Sequence, residues 1–252
     1  PPNFVDTGAA PYAYVGKTLT FDTGGLDLKP PDGMLMMHVD KLGGCNTLSL
    51  MRYLALARPA TTRKIVGVMT ITDNEIGPDA VHPHTIIETK CVAVEKGTCS
   101  VAIDNTDAEG RLALADAVTF AQVNYKPARI TTMATLTGAI MISLGFHATG
   151  LFSNTKYIPS ELSALGELNG DLFWHMPIYA QHHKELAGTD CDLKNITGTR
   201  WGGSSTAAGF IEHFVAEGVE FVHLDIAGSS SRPGNPVTGQ TLNTLQAYIA
   251  KH

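Results

Sequence analysis

The stretch Asn105-Thr106-Asp107-Ala108-Glu109-Gly110-Arg111-Leu112 sets three charged side chains, Asp107, Glu109 and Arg111, at alternate positions. In extended backbone, residues two apart point to the same face, which predicts two carboxylates and a guanidinium crowded on one surface. Leu114, Ala117, Val118 and Ala121 follow at helical spacing, so that surface lies where a helix begins. Like charges this close need compensation. A bound cation supplies it by turning carboxylate repulsion into coordination. A solvated loop whose arginine neutralises its acids is the other reading the octapeptide allows.

On both sides of the octapeptide, strand and helix patterns alternate. Tyr12 to Phe21 reads as a strand running into Asp22-Thr23-Gly24-Gly25, a turn whose glycines permit positive φ. Val15-Gly16-Lys17-Thr18 is not a phosphate-binding loop, because Pro11 stands where the first glycine is required and Lys17 lies inside a strand pattern. Pro30-Pro31-Asp32-Gly33 is a loop, and Gly43-Gly44 introduces a helix with Thr47, Leu48, Met51, Leu54 and Ala55 on one face. Lys64 to Thr72, rich in Val and Ile, predicts a buried strand, and Asn74 to Ser100 reads as loop with short strands. Further strands are expected at Arg129 to Leu136, Gly150 to Asn154 and Phe221 to Ile226. Helices are expected near Ser160 to Glu167, through Ala207, Phe210, Ile211 and Phe214, and over Thr241 to Ala250. No repeat, low-complexity run or linker interrupts the series. The expectation is an α/β fold, a largely parallel mixed sheet covered by helices on both faces, in one domain over residues 1–252.

The totals exclude several classes. A chain of 252 residues, 44% of them apolar, can bury a full core. The net charge of −6, with no Lys/Arg run, argues against nucleic acid and anionic membranes as partners. No apolar stretch reaches membrane-spanning length, and Pro1-Pro2-Asn3-Phe4 does not read as a signal peptide. Cys45, Cys91, Cys99 and Cys191 form no CxxC pair, which suits free thiols in a reducing cytoplasm. No HExxH occurs among the histidines, so that type of zinc site is excluded.

In an open α/β sheet, chemistry collects beyond the carboxyl ends of the strands. Asp22 follows the first strand, Asp40 precedes the first helix, and Asp107 and Glu109 precede the second, with Lys17 and Lys29 flanking Asp22. Four carboxylates can neutralise two divalent cations, and oxygen-rich ligation suits Mg²⁺, Mn²⁺ or Zn²⁺. The residues alone therefore point to a two-metal hydrolase.

Val15-Gly16-Lys17, Phe21-Asp22-Thr23-Gly24-Gly25, Leu28-Lys29, Asp40 and the octapeptide resemble the leucine aminopeptidases, also called the cytosol aminopeptidase family. Ala134-Thr135-Leu136-Thr137-Gly138-Ala139, Asp192-Leu193-Lys194-Asn195, Gly202 to Ala208 and His223-Leu224-Asp225-Ile226-Ala227-Gly228 extend the resemblance over nearly the whole chain. The resemblance implies that Asp22 and Glu109 bridge two metal ions, zinc or manganese. Lys17 and Asp40 would complete one site, and Asp107 the other. It makes Lys29 the electrophile that polarises the peptide carbonyl, and Arg111 the holder of a bicarbonate that acts as general base. Met37 would wall the pocket for the first side chain, with the Leu136 backbone near the substrate. The implied substrates are peptides with a free N-terminus, and the implied assembly is a homohexamer.

Three departures stand out. Lys41-Leu42 separate Asp40 from the paired glycines, where the family has one residue, which could move Asp40. His82-Pro83-His84-Thr85 replaces a Pro-Gly-Asp turn, and the family's extra N-terminal domain is absent from this sequence. The bland alternatives are also concrete. The acids could cap turns and helices, Lys17 could be a strand lysine reaching for solvent, and Arg111 could pair with Glu109. Met34 and Met36 read as core filler, and His38, His82 and His84 as surface histidines. Two competing functions remain, a non-catalytic binding module on the same fold and a dinuclear phosphoesterase. A serine hydrolase is excluded, because Gly202-Gly203-Ser204-Ser205 is followed by Thr206 rather than glycine.

Overall fold

The structure is a computed structural model that describes residues 6–231, 234, 235 and 237–251. Its strands are β1 (Tyr12–Asp22), β2 (Ile65–Asn74), β3 (Thr85–Lys90), β4 (Thr98–Ile103), β5 (Arg129–Ala134), β6 (Ala148–Ser153), β7 (Leu172–His175), β8 (Leu193–Lys194) and β9 (Glu220–Asp225). Its helices are α1 (Pro31–Met34), α2 (Leu42–Ala57), α3 (Gly110–Tyr125), α4 (Gly138–Leu144), α5 (Tyr157–Asn169), α6 (Ala180–Glu185), α7 (Gly203–Glu212) and α8 (Leu242–Lys251). A six-stranded sheet in the order β2-β1-β5-β9-β6-β7 forms the centre, and β3-β4-β8 make a small second sheet. β2, β1, β5 and β9 run parallel, whereas β6 pairs antiparallel with β9 and parallel with β7. The mixed, largely parallel sheet and its helical cover match the expected α/β class.

Alternation along the central strands explains the two layers. In β1, Tyr12 and Tyr14 pack with Leu50 and Leu54 of α2, Leu162 of α5 and Tyr248 of α8. Ala13 and Val15, one residue out of phase, pack with Leu114 and Val118 of α3 and Phe210 and Phe214 of α7. A strand covered on both faces needs apolar side chains at both phases, and β1 supplies them. α2 also lies unusually close to the sheet. A Cβ at Gly43 would overlap the Met133 carbonyl, and one at Gly44 would overlap the Thr18 hydroxyl. The paired glycines are thus the contact surface between helix and sheet.

Several expectations change. β2 is an edge strand and none of its residues is buried, with Ile71 66% exposed, so its Val/Ile content marks β propensity rather than depth. The buried face of α2 runs through Thr47, Leu50 and Leu54, leaving Leu48 exposed. The short strands expected between Asn74 and Ser100 are present, and β3 pairs with β4 as an antiparallel hairpin. From β1 the chain passes through α2 to β2 on one side, and β5 lies on the other side of β1. Adjacent strands whose connections leave in opposite directions open a crevice at their carboxyl ends. That crevice lies between Lys17–Asp22 and the segment after Ala134.

Candidate active site

The crevice gathers six of the charged residues picked out in the sequence. Lys17 projects from β1 and is only 2% exposed. Its Nζ lies 2.8 Å from Asp40 Oδ2 and 3.0 Å from Glu109 Oε1, and donates to the Thr135 carbonyl at 3.3 Å. Lys29 Nζ lies 2.9 Å from Asp22 Oδ2 and also pairs with Asp107 Oδ1. Two ammonium groups therefore stand among four carboxylates.

Local backbone chemistry sets each position. The β1–β2 register shifts between Leu19 and Asp22, and such a bulge re-aims the strand's last residue. Gly24 and Gly25 then adopt φ of 91° and 67°, and Gly24 N–H donates to Asp22 Oδ1 at 2.9 Å. Asp40 ends a 3₁₀ turn over Met37–Val39 and immediately precedes α2. The additional residue at Lys41-Leu42 does not remove it from the cluster. Asp40 is buried, and the Thr135 hydroxyl donates to its Oδ1 at 2.7 Å.

The octapeptide is not extended, which corrects the alternation argument. Ala108 N–H donates to Asn105 O at 3.2 Å, and Asp107 N–H to Asn105 Oδ1 at 2.7 Å, so the chain turns. Glu109 already has helical dihedrals before α3. Asp107 and Glu109 reach the cluster through this turn, while Arg111, inside α3, points elsewhere and donates to Asn195 O at 2.8 Å. Among the described residues Arg111 forms no ion pair, so the suggested Arg111–Glu109 bridge is absent. Its Nε is buried without a hydrogen-bond partner. Leu136 N–H donates to Asp225 Oδ1 at 3.2 Å, and Met37 is half-buried at the start of the turn leading to Asp40.

The charges perturb one another. Burial works to lower the Lys17 pKa, but Glu109 and Asp40 together outweigh it and hold the ammonium above its ordinary value. The same contest raises Lys29, with Asp107 and Asp22 opposing burial. Burial lifts Asp40 to about 6 against the pull of Lys17, and raises Asp107 despite Lys29. Burial also brings Arg111 down to about 10, with Glu109 and Asp225 opposing.

The donor set suits divalent cations. Asp22, Asp107 and Glu109 each offer an oxygen, all within 4.8 Å of one another, and two ammonium groups already lie where positive charge is needed. A buried guanidinium with no carboxylate partner and a spare donor likewise suits a small anion. The family model described as the cytosol aminopeptidase family, catalytic domain, matches residues 3–246. The chain belongs to that family. A probable cytosol aminopeptidase of Fusobacterium nucleatum is 39% identical over 245 residues, covering 94% of this chain and 49% of that protein. One of Aquifex aeolicus is 40% identical over 246 residues, covering 95% and 48%. The cytosol aminopeptidase structure from Coxiella burnetii superposes with a TM-score of 0.86 at 32% identity, covering 98% of this chain and 53% of that one. The bottromycin maturation enzyme BotP in complex with Mn gives 0.87 at 27% identity, covering 98% and 54%. The chain thus spans about half the length of the relatives it matches.

Four site residues received no role from the sequence. Thr135 touches both Lys17 and Asp40, and Asn195 receives Arg111. Asp225 accepts the Thr137 hydroxyl at 2.6 Å as well as Leu136 N–H. Asn74 donates to Asp22. Asn74 and Asp225 share one legible signal, a polar residue at the carboxyl end of a parallel strand.

Proposed function

We propose that this chain carries the catalytic machinery of a two-metal aminopeptidase, removing the N-terminal residue, preferably an apolar one such as leucine, from peptides. The observation that carries the proposal is the cluster of four carboxylates around two lysines at the switch point of the sheet. In this reading Asp22, Glu109, Lys17, Asp40 and Asp107 hold two divalent ions, Zn²⁺ or Mn²⁺, with Mg²⁺ as the third candidate. When bound, such ions polarise a carbonyl and make water a nucleophile at neutral pH.

The remaining tasks fall to side chains. Lys29, kept protonated by Asp22 and Asp107, stabilises the negative charge that develops on the carbonyl oxygen. Arg111 would hold a bicarbonate, which when bound would supply a general base; its unpaired Nε and lack of a carboxylate partner support that assignment. The Leu136 backbone, fixed by Asp225, lines the substrate cleft, and Met37 walls the pocket for the first side chain. Lys17 must be neutral to ligate, since an ammonium has no lone pair to give.

Large apolar side chains in solvent, including Ile142, Leu168, Leu35 and Trp201, support assembly, which we propose to be a homohexamer. No helix among the described residues is long and apolar enough to cross a membrane. The relatives' name, cytosol aminopeptidase, supports a cytoplasmic location.

The test is turnover of leucyl-p-nitroanilide with Mn²⁺ or Zn²⁺, against the same amide with its amine acetylated. Cleavage of the free amine alone is expected. Equal rates on both substrates would refute an exopeptidase. Hydrolysis of nitrophenyl phosphate in place of the amide would favour the phosphoesterase, and metal-loaded protein inert to both would favour the binding module.

A further inference from the structure

We infer that Asn74 is a positioning residue that sets which oxygens of Asp22 and Glu109 face the cations. The inference rests on the two-metal reading above and concerns a residue outside the proposed ligand set. β2 ends at Asn74, and the register shift in β1 brings that residue opposite Asp22. Its backbone is clamped, since Thr23 donates both its N–H and its hydroxyl to Asn74 O at 2.8 Å. The side-chain amide nitrogen then donates to Asp22 Oδ1 at 2.9 Å and Thr106 O at 3.0 Å, with Glu109 Oε2 at 3.4 Å.

The other oxygen of each carboxylate has a different partner. Asp22 Oδ2 faces the Lys29 ammonium at 2.9 Å, and Glu109 Oε1 faces that of Lys17 at 3.0 Å. Each acid therefore gives one oxygen to a neutral amide and the other to positive charge. A neutral donor is the chemistry this position needs. A cation there would compete with the metals for the carboxylates, and an acid would add repulsion. Through its link to Thr106 O, the same amide ties the Asp107–Glu109 turn to the end of β1.

Gly24 N–H donates to the same Asp22 Oδ1 at 2.9 Å, so the separate contribution of the Asn74 amide is to join that oxygen to Thr106 O and Glu109 Oε2. A cavity of about 150 Å³ adjoins Asn74, walled in part by Val81, Ile87, Ile103 and Leu112. It is roomy enough for water, which needs only about 30 Å³. Truncation to alanine would let water take over part of the donor's task, whereas leucine fills the space and offers no donor. The two substitutions should therefore be graded, N74L more severe than N74A.

The experiment measures manganese affinity by chelator competition on wild type, N74L and N74A, with circular dichroism as the check on folding. Outer-layer partners of ligands change metal affinity by about 10–100-fold when removed. N74L should weaken manganese binding by that much and N74A by less. kcat at saturating manganese should fall, with KM for leucyl-p-nitroanilide nearly constant. If N74L does not fold, N74A decides alone, a loss of about threefold or more supporting the inference. Folded variants that bind manganese within twofold of wild type would overturn it, even if their metal-free melting temperature drops. Wild type that binds no manganese would instead overturn the two-metal reading, and this inference with it.

Discussion

Gly110→Ala separates the stability of the fold from the integrity of the site. Gly110 opens α3, and a Cβ there would lie 2.5 Å from Lys17 Cε and 2.6 Å from Nζ. Normal contact needs roughly 3.5 Å or more, so about 1 Å of movement is forced. The atoms met are the flexible end of a lysine, so the side chain yields and the helix stays. Yielding stretches the ion pairs of 2.8 Å to Asp40 and 3.0 Å to Glu109. At an effective dielectric of about 20, about 1 Å of stretch weakens each pair by about 1.5 kcal/mol. Replacing glycine in the first turn of a helix returns up to about 1 kcal/mol. The net loss is about 2 kcal/mol, or roughly 4–8 °C in Tm for a chain of this size. Function is more exposed, because about 1 Å of misplacement at a reacting centre can cost about 100-fold. Calorimetry of metal-free protein and turnover of leucyl-p-nitroanilide with manganese measure the two effects. A variant within threefold of the wild-type rate would refute the reasoning. So would a Tm loss beyond roughly 15 °C, since it would mean that the helix had moved instead of the lysine.

The two lysines should fail differently. Lys17→Ala should lose manganese affinity, with part of the rate restored by excess metal; Lys29→Ala should keep its metals and lose roughly two to three orders of magnitude in kcat, the scale of one oxyanion donor. Metal stoichiometry beside kcat tells them apart, and the opposite pattern would reverse the two roles. Burial, then the Arg111 charge, holds the His223 imidazole down to about 3 from its ordinary 6.5. As pH falls below about 6.5 the unfolded chain takes that proton and the folded chain does not, so stability declines by about 1.4 kcal/mol per pH unit. Asp225, lifted by burial to about 6, acts in the opposite sense below that pH, because the folded form takes its proton first. Urea unfolding from pH 6.5 to 4.5 should give a shallower decline for His223→Gln and a steeper one for Asp225→Asn; slopes equal to wild type would refute both assignments. Removing metal with a chelator should lower stability by the mass-action amount, about 2.7 kcal/mol when free metal had stood at about 100 Kd, read as a fall in Tm. A chain unfolded at 25 °C after chelation, by circular dichroism, would contradict the internal compensation by lysine.

What the sequence made legible was local, and what it hid depended on distance along the chain. β1 and the helix after the octapeptide are periodic over many residues, and the structure has both. β2 has the composition of a buried strand but lies at an edge, a position set by which strands flank it and not by its own residues. Leu48 fits the helical face by spacing, yet glycines 43 and 44 rotate α2 so that Leu50 faces the sheet and Leu48 faces solvent. Asp107 and Glu109 of the octapeptide do join the charged cluster, but through a turn and not through alternation. Alternation in an extended chain would have placed Arg111 beside Glu109, and the turn at Asn105–Ala108 separates their tasks. Asn74 opens the segment whose sequence reads as loop with short strands, and nothing within ten residues of it reveals that Asp22 will stand opposite.

The pairing of lysines with carboxylates explains how such a site can survive folding. With both lysines protonated, Asp22, Asp40, Asp107 and Glu109 leave the cluster at a net −2, from four negative charges and two positive. Four carboxylates without those ammonium groups would repel strongly in a partly buried crevice, and the cost would fall on the folded state alone. Full neutralisation by the protein would be equally unsuitable, because a neutral cluster gives dications little to bind. The residual charge is thus a compromise between closing the sheet around the acids and keeping them attractive to metal. Asn74 fits the same balance, since it holds two of the acids and leaves the charge unchanged.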